Sequence, residues 1–462
     1  MLHRPQAVPA SDGLDAPQRY WAWLAILLTV TLAVLDGTIA TVALPSIAAD
    51  FGASPSASIW IVNGYQLAVV VSLLPIASLG EILGYRRVYL AGVALFTAAS
   101  LACMLSTSLP ALSAARVMQG FGGAGVMSVN TALIRYVVPK AKFGTALGIN
   151  ALIVACAATA GPAIAGFMLT WFAWPWLFAI NVPLGVLAIA IGFFNLPMSD
   201  RAQRRFDWVS ALLSAMTIGL MVATIDTLGH GARAAWVAAG IAGMAAAATL
   251  LVRRAMRVAE PLLPLDLLRL PVFAMSIGTS ISSFTAQMLA FVSLPFAFQT
   301  IMGFSPAEVG MLMMPWPLAT GFSAPLAGRL ADRYSPAILG GIGLAAMAAG
   351  LAALMALPEH PSIPDVAWRM LLCGAGFGFF QTPNNRTLIT SAPKERSGSA
   401  SGMLSTARLT GQTTGAALAS LLLARFGITG AVTALGVASG FAALAAAVSL
   451  ARIGFFRTHE AK

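Results

Sequence analysis

The stretch Leu35-Asp36-Gly37-Thr38-Ile39-Ala40-Thr41-Val42-Ala43-Leu44-Pro45-Ser46-Ile47 puts one carboxylate, Asp36, inside an apolar run that begins at Trp21. An acid at the centre of a membrane helix costs about 2.5–3.5 kcal/mol on the insertion scale, so such residues are rare and usually functional. Burial favours the neutral carboxyl and a nearby cation favours the ionised one. A group balanced in this way can couple proton movement to another event.

The rest of the chain suits the same solvent. Of its 462 residues, 58% are hydrophobic and 9% charged, with a mean hydropathy of +0.84. Soluble domains carry about 25% charged residues. Apolar stretches broken by short charged clusters recur from Trp21 to Ile453, which predicts an integral, all-α membrane protein with the lipid bilayer as its partner. Trp21 onward, with Ile47-Ala48-Ala49 as a cleavage site, also has the outline of a signal peptide, but a dozen further spans follow, so a first span is expected. The three cysteines, Cys103, Cys156 and Cys373, fall within spans as free thiols and say nothing about redox compartment.

Runs of about 20 apolar residues between turn or charge signals predict fourteen spans. Six lie near 21–44, 58–79, 88–106, 110–136, 144–171 and 176–196, two near 208–228 and 235–252, and six near 271–300, 307–327, 337–357, 366–388, 398–424 and 429–451. An even number puts both termini on one side. The basic clusters Arg86-Arg87, Arg135/Lys140/Lys142, Arg201/Arg204/Arg205, Arg253/Arg254/Arg257, Arg329/Arg333 and Lys394/Arg396 make that side cytoplasmic by the positive-inside bias. Of the 27 basic residues, only Arg233, Arg369 and Arg425 fall opposite, and Arg116 and Arg408 lie inside spans. The net charge of +11 is therefore explained without nucleic acid.

The loop after the second span ends Gly80-Glu81-Ile82-Leu83-Gly84-Tyr85-Arg86-Arg87, and Gly328-Arg329-Leu330-Ala331-Asp332-Arg333-Tyr334 stands at the matching place in the last six spans. This echo predicts two six-span halves with two spans inserted. The expected organisation is a cytoplasmic tail (1–20), a first bundle (21–200), the extra pair (201–257), a second bundle (258–452) and a cytoplasmic tail (453–462). Repeated halves place a substrate site at their interface near mid-membrane.

At 1.5 Å per residue, Asp36 lies about 12 Å below the outer end of its span and Arg116 about 9 Å below the outer end of the fourth. The two can meet at one level, either as a proton-coupling pair or as an ion pair that only fixes packing. Arg408 lies near the bilayer middle without an evident acid in its half, open to binding an anionic group, capping a carbonyl or discouraging protonation nearby. Asn63, Gln66, Gln119 and Gln287, with Phe291 and Phe380, are candidates for a cavity lining; packing and interhelical bonding are the competing reading. Charge pairs among Glu81, Arg86, Arg87, Asp332 and Arg333 can lock the cytoplasmic side, or merely obey the positive-inside rule. No phosphate-binding loop ends in Lys-Ser/Thr, which excludes ATP hydrolysis by that route. His3, His230, His360 and His459 are scattered, so neither a metal site nor any other cofactor is expected.

Taken together, these residues resemble the fourteen-helix drug:proton antiporter branch of the major facilitator superfamily, over nearly the whole chain. Leu35 to Ile39 and Val42 to Pro45 are similar to that branch's first-helix motif, with Thr41 where Asn is usual. Arg116-Val117-Met118-Gln119-Gly120-Phe121-Gly122-Gly123-Ala124 resembles the motif whose arginine is linked to proton transfer. Gly148, Ala157, Gly161-Pro162 and Ala165-Gly166 follow the antiporter glycine motif, with alanine at two glycine places, and the resemblance implies that the Gly161-Pro162 bend governs leak and helix flexing. Trp174-Pro175-Trp176-Leu177-Phe178 with Asn181-Val182-Pro183 also fits, except that Pro175 replaces Arg. The loop motif departs further: Ala77, Glu81 and Ile82 stand for Gly, Asp and Arg, and Ser335-Pro336 for Gly-Arg. The resemblance implies a monomeric exporter of small amphiphilic compounds in exchange for protons, not an enzyme, in a bacterial inner membrane. A dedicated exporter of one metabolite (lipid, siderophore or antibiotic) and a non-transporting sensor are the alternatives.

Overall fold

The computed structural model describes residues 12–203, 206–258, 262–393 and 396–460, without the side chains of 397–398 and 454–460. The expected basic residues Arg204, Arg205 and Lys394, the scattered His3 and the side chain of His459 lie outside the described set. Among the described residues there are helices and no strands.

In chain order the helices are α1 (Gln18–Asp50), α2 (Pro55–Ser58), α3 (Trp60–Leu83), α4 (Tyr85–Met104), α5 (Leu109–Val137), α6 (Phe143–Trp171), α7 (Pro175–Ala179), α8 (Asn181–Asn195), α9 (Trp208–Gly229) and α10 (Ala234–Ala255). They continue as α11 (Pro271–Phe296), α12 (Pro306–Met313), α13 (Pro315–Leu330), α14 (Pro336–Met355), α15 (Ile363–Ser391), α16 (Ser397–Phe426) and α17 (Gly430–Glu460). Among the described residues, ten helical segments are long and apolar enough to cross a bilayer, Ser399–Ile453 being one of them although it contains most of α16 and part of α17. α5, α15 and the broken pair α12–α13 are not among the ten. Two of these carry buried polar side chains, Arg116 and Gln119 on α5 and Asn384 on α15, which lowers the apolarity that identifies a crossing.

Local signals set the helix ends. Ser54, Ser108 and Ser362 cap the N-termini of α2, α5 and α15 through their hydroxyls, and Ser305 with Glu308 forms a capping box on α12. Such caps satisfy backbone N–H groups that have no partner inside the helix. Gly84 separates α3 from α4 at φ 99°, a left-handed conformation that a side chain resists.

α1 and α3–α8 pack on one another, as do α11–α17. Lipid-soaked helices gain little from hydrophobic burial, so they associate through close contact of small residues. Gly92 and Gly125 bring α4 against α5, and Gly166 and Gly310 bring α6 against α12, where a methyl on Gly166 would lie 2.6 Å from the carbonyl of Pro306. At the end opposite the basic loops, called outer here, one apolar core runs through both groups of helices, joining Leu44, Ile47 and Phe178 to Phe298, Met313 and Leu423. At the inner end the cores are separate. One contains Ile26, Tyr89, Leu133 and Ala188; the other contains Phe273, Leu388, Ala400 and Met403, with Leu74 of α3 at its edge. The largest core thus joins both groups across the outer end; further in, a smaller core packs Leu32, Tyr65 and Phe96 against Leu409 of α16 and Ile218 of α9, and at the inner end each group has a core of its own.

α9 lies against both groups, touching α3 and α16. Trp60 donates from its indole to Asp226 at 3.2 Å, and Arg425 donates to the carbonyl of Leu228 at 3.0 Å.

Candidate functional site

Asp36 and Arg116 meet. The Arg116 guanidinium donates through Nη1 to Asp36 Oδ2, and both side chains are sealed, at 1% relative exposure each. The helix α1 continues to Asp50, beyond the expected span end at 44, so Asp36 sits deeper from its helix end than the counted 12 Å. The level it shares with Arg116 is nevertheless the expected one.

Three further helices complete the shell. Gln119, one turn along α5 from Arg116, donates to Asp36 Oδ1 at 2.8 Å and to Ser100 of α4 at 2.8 Å. Asn181, at the first residue of α8, donates to the same Asp36 oxygen at 2.8 Å. Arg116 Nη1 also donates to Gln119 Oε1, and Arg116 Nε donates to the carbonyl of Ile61 on α3 at 3.0 Å. The guanidinium lies 4.4 Å from the Tyr65 ring centroid and 5.6 Å from that of Phe178, within cation–π range. A buried charge is tolerated where pairing and hydrogen bonds replace water. Here the carboxylate accepts from three side chains.

Gln119 was a candidate for a cavity lining, with bonding between helices as the competing reading; the structure places it at 0% exposure, bonded to the pair. Asn181 was quoted as part of a motif without a site role. Its signal was a polar side chain at the mouth of the sixth span, at the same end as Asp36.

A second polar hub lies in the other group of helices. Arg452 of α17, fully buried, donates to Ser276 Oγ on α11 at 2.8 Å, to Asn384 Oδ1 on α15 at 2.7 Å and to Ser449 Oγ at 2.6 Å. Asn384 in turn donates to Ser280 at 2.9 Å. Both hubs tie the first, fourth and sixth helices of their group: α1, α5 and α8 in one, α11, α15 and α17 in the other. The first lies toward the outer end and contains an acid; the second lies at the inner end and is held by neutral acceptors. Sequence reasoning ended the last span at 451 and gave Arg452 no site role.

The expected gating residues are found at the inner end. Arg86 donates to the carbonyl of Phe193 and stacks at 5.6 Å on its ring. The Glu81 carbonyl accepts from Ala202 N at 2.8 Å, tying the α3–α4 turn to the segment after α8. Asp332 pairs with Arg386 of α15, and Asp266 with Arg396. These pairs join helices of one group to one another and do not bridge the two groups. Arg87 and Arg333 lie at the same turns.

Among the other candidates, Asn63 and Phe380 are buried at 1% exposure and Gln66 at 8%, within packing. Gln287, Phe291 and Arg408 are half-buried.

Gly161 and Pro162 lie in α6, and Gly161 faces α1. A methyl on Gly161 would overlap the hydroxyl of Thr38, two residues beyond Asp36, which donates to the Leu35 carbonyl at 3.0 Å. Overpacking of this kind costs about 1–3 kcal/mol. Gly161→Ala is expected to lower thermal stability by that amount, and Thr38→Ala in the same protein to restore most of it; a loss that Thr38→Ala does not relieve would place the strain elsewhere.

A family model described as Major Facilitator Superfamily matches residues 26–408 and, again, 275–460. The chain is 52% identical to the uncharacterized transporter YebQ of Escherichia coli (strain K12) over 96% of its length and 97% of that protein's. It is 32% identical to the multidrug resistance protein Stp of Mycobacterium tuberculosis (strain CDC 1551 / Oshkosh), covering 87% of this chain and 75% of that one. Its fold is similar to the crystal structure of a bacterial homologue of the human lysosomal transporter Spinster in an inward-facing, unoccupied conformation. That match has a TM-score of 0.67 at 16% identity, over 95% of this chain and 97% of that one.

Proposed function

The chain belongs to the Major Facilitator Superfamily, and we propose that it is a proton-coupled exporter of amphiphilic compounds with fourteen membrane crossings and both termini in the cytoplasm. It is a multi-pass protein of the bacterial inner membrane. Fourteen crossings follow if α5, α12–α13 and α15 span as well, and if α16 and α17 cross separately. The halves are then 21–200 and 258–452, with α9 and α10 inserted between them. The multidrug resistance name of the relative Stp favours export.

The observation that carries the reading is the Asp36 shell. With Asp36 ionised, Arg116, Gln119 and Asn181 hold α1, α5 and α8 together. A proton from outside removes the ionic hold on Arg116 and frees α1 to shift. α1 touches α6 at Thr38–Gly161, and α6 touches α12 of the other half at Gly166–Gly310, so the charge on Asp36 is felt at the seam between the halves. Protonated and ionised Asp36 therefore favour different arrangements of the halves, the differential interaction that coupling requires. The conformation, in which the largest core closes both halves together at the outer end, is the one that loads from the cytoplasmic side.

Inverted vesicles holding a proton gradient test this. A transported amphiphile is expected to dissipate the gradient, read by a pH-sensitive dye, and Asp36→Asn to end that response. Normal coupling by the Asn protein would remove Asp36 from the mechanism.

A further inference from the structure

Three of the arginines in or at the membrane-spanning helices are matched by the protein: Arg116 by Asp36, Arg452 by Ser276, Asn384 and Ser449, and Arg369 by Asp365. Arg408 is not. It is half-buried, its Nε is closed off from solvent without a hydrogen-bond partner, and among the described residues no acid pairs with it.

Its direction follows from its neighbours on α16. Gly411 and Gly415 face α11, where added methyls would press on the carbonyls of Ile281 and Thr285, and Gly402 faces Leu74 of α3 at 3.5 Å. At about 100° per residue, Arg408 projects between those two directions. α11 belongs to one half and α3 to the other, so the guanidinium projects at the boundary between the halves, about 40° from the glycines that face α11 and about 120° from Gly402. Ser405 and Gln412, also half-buried, share this face within roughly 60° of Arg408. By contrast, Asp36 is sealed and already accepts from three side chains. Asp226 and Asp365, at the span ends, are bonded to Trp60 and to Arg369. A cationic substrate would find no open acid on these residues, whereas an anion finds an unmatched guanidinium beside neutral donors. The planar fork of Arg suits two oxygens of a carboxylate, sulfonate or phosphate.

We infer that the compounds handled are amphiphilic anions, and that Arg408 holds their headgroup in the gap between the halves. This deepens the export reading and rests on it for the consequence that the bound anion is transported.

Binding separates the two. The full-length protein in phosphatidylcholine nanodiscs is titrated with anilinonaphthalene sulfonate, an anionic amphiphile, and with tetraphenylphosphonium, a cationic one, against empty nanodiscs. The unaltered protein is expected to bind the sulfonate more tightly. Arg408→Gln is expected to weaken sulfonate binding at least tenfold and to leave phosphonium binding unchanged, with Arg408→Lys between. Preference of the unaltered protein for the phosphonium, or unchanged sulfonate binding by Arg408→Gln, overturns the inference; the first needs no variant to fold. Loss of sulfonate binding on replacing phosphatidylcholine by phosphatidylglycerol would assign Arg408 to lipid headgroups and overturn it as well. Sulfonate binding through Arg408 without any proton exchange in vesicles would leave the anion site standing and remove the export reading instead.

Discussion

Asp36→Asn is expected to lower stability by about 3–5 kcal/mol, because it strands the Arg116 cation in a sealed site with no counter-charge. Arg116→Gln strands the acid and should cost a similar amount. The double variant Asp36→Asn/Arg116→Gln carries no charge, keeps groups able to hydrogen-bond with Gln119 and Asn181, and is expected to recover most of the loss in denaturant or thermal unfolding. Proton coupling should be absent in all three. Stability and coupling then part company: the double variant folds about as well as the parent and exchanges no protons. A double variant as unstable as either single one would mean that Asp36 and Arg116 do not act as one electrostatic unit. A double variant that still couples would move the proton site elsewhere.

The second large effect is expected at Gly310. A methyl there would lie closer than 3.0 Å to the Pro162 carbonyl, backbone against backbone, so no side-chain rotation relieves it. Overpacking by about 1–3 kcal/mol would act on the state in which α6 and α12 touch. That energy shifts a two-state equilibrium by about 5–150-fold. Gly310→Ala should therefore favour separation of the outer ends. Gln299 donates to the Val42 carbonyl across this same closure at 3.1 Å, so a cysteine at 299 reports on it. In a Cys156→Ser background, labelling of Gln299→Cys by a membrane-impermeant maleimide in whole cells is expected to accelerate within that range. Gly148→Ala, on α6 with nothing within 4 Å, should leave the rate unchanged. Equal labelling with and without Gly310→Ala would mean that this seam does not control the outer end.

The Asp36–Arg116 meeting was legible in sequence because two lone charges in apolar helices must solve each other's burial, and depth along a helix can be counted. The error in the end of α1 did no harm, since extra turns beyond the span leave the relative level of the two charges unchanged. The rest of the shell was not legible. Gln119 and Asn181 are neutral, and a neutral polar residue in a span reads equally as a cavity wall or as a bond between helices. Only the three-dimensional meeting of α1, α5 and α8 decides. Arg452 was hidden for the opposite reason: a cation at the end of a last span satisfies the positive-inside pattern, which leaves nothing to explain. The Gly166–Gly310 contact joins residues far apart in the chain, and Gly310 falls near the start of the expected span 307–327, where nothing in the sequence marks a partner.

The inserted helix α9 touches one helix from each half near the outer end, through Trp60–Asp226 and Arg425–Leu228. A rocking motion that parts the outer ends must stretch this link or slip one of its two single bonds. α9 therefore acts as a stay across the mouth. On the export reading, the calibre of what can leave would then be bounded by α9, and the upper size of a transported molecule would be a property of that helix as well as of the site that receives it.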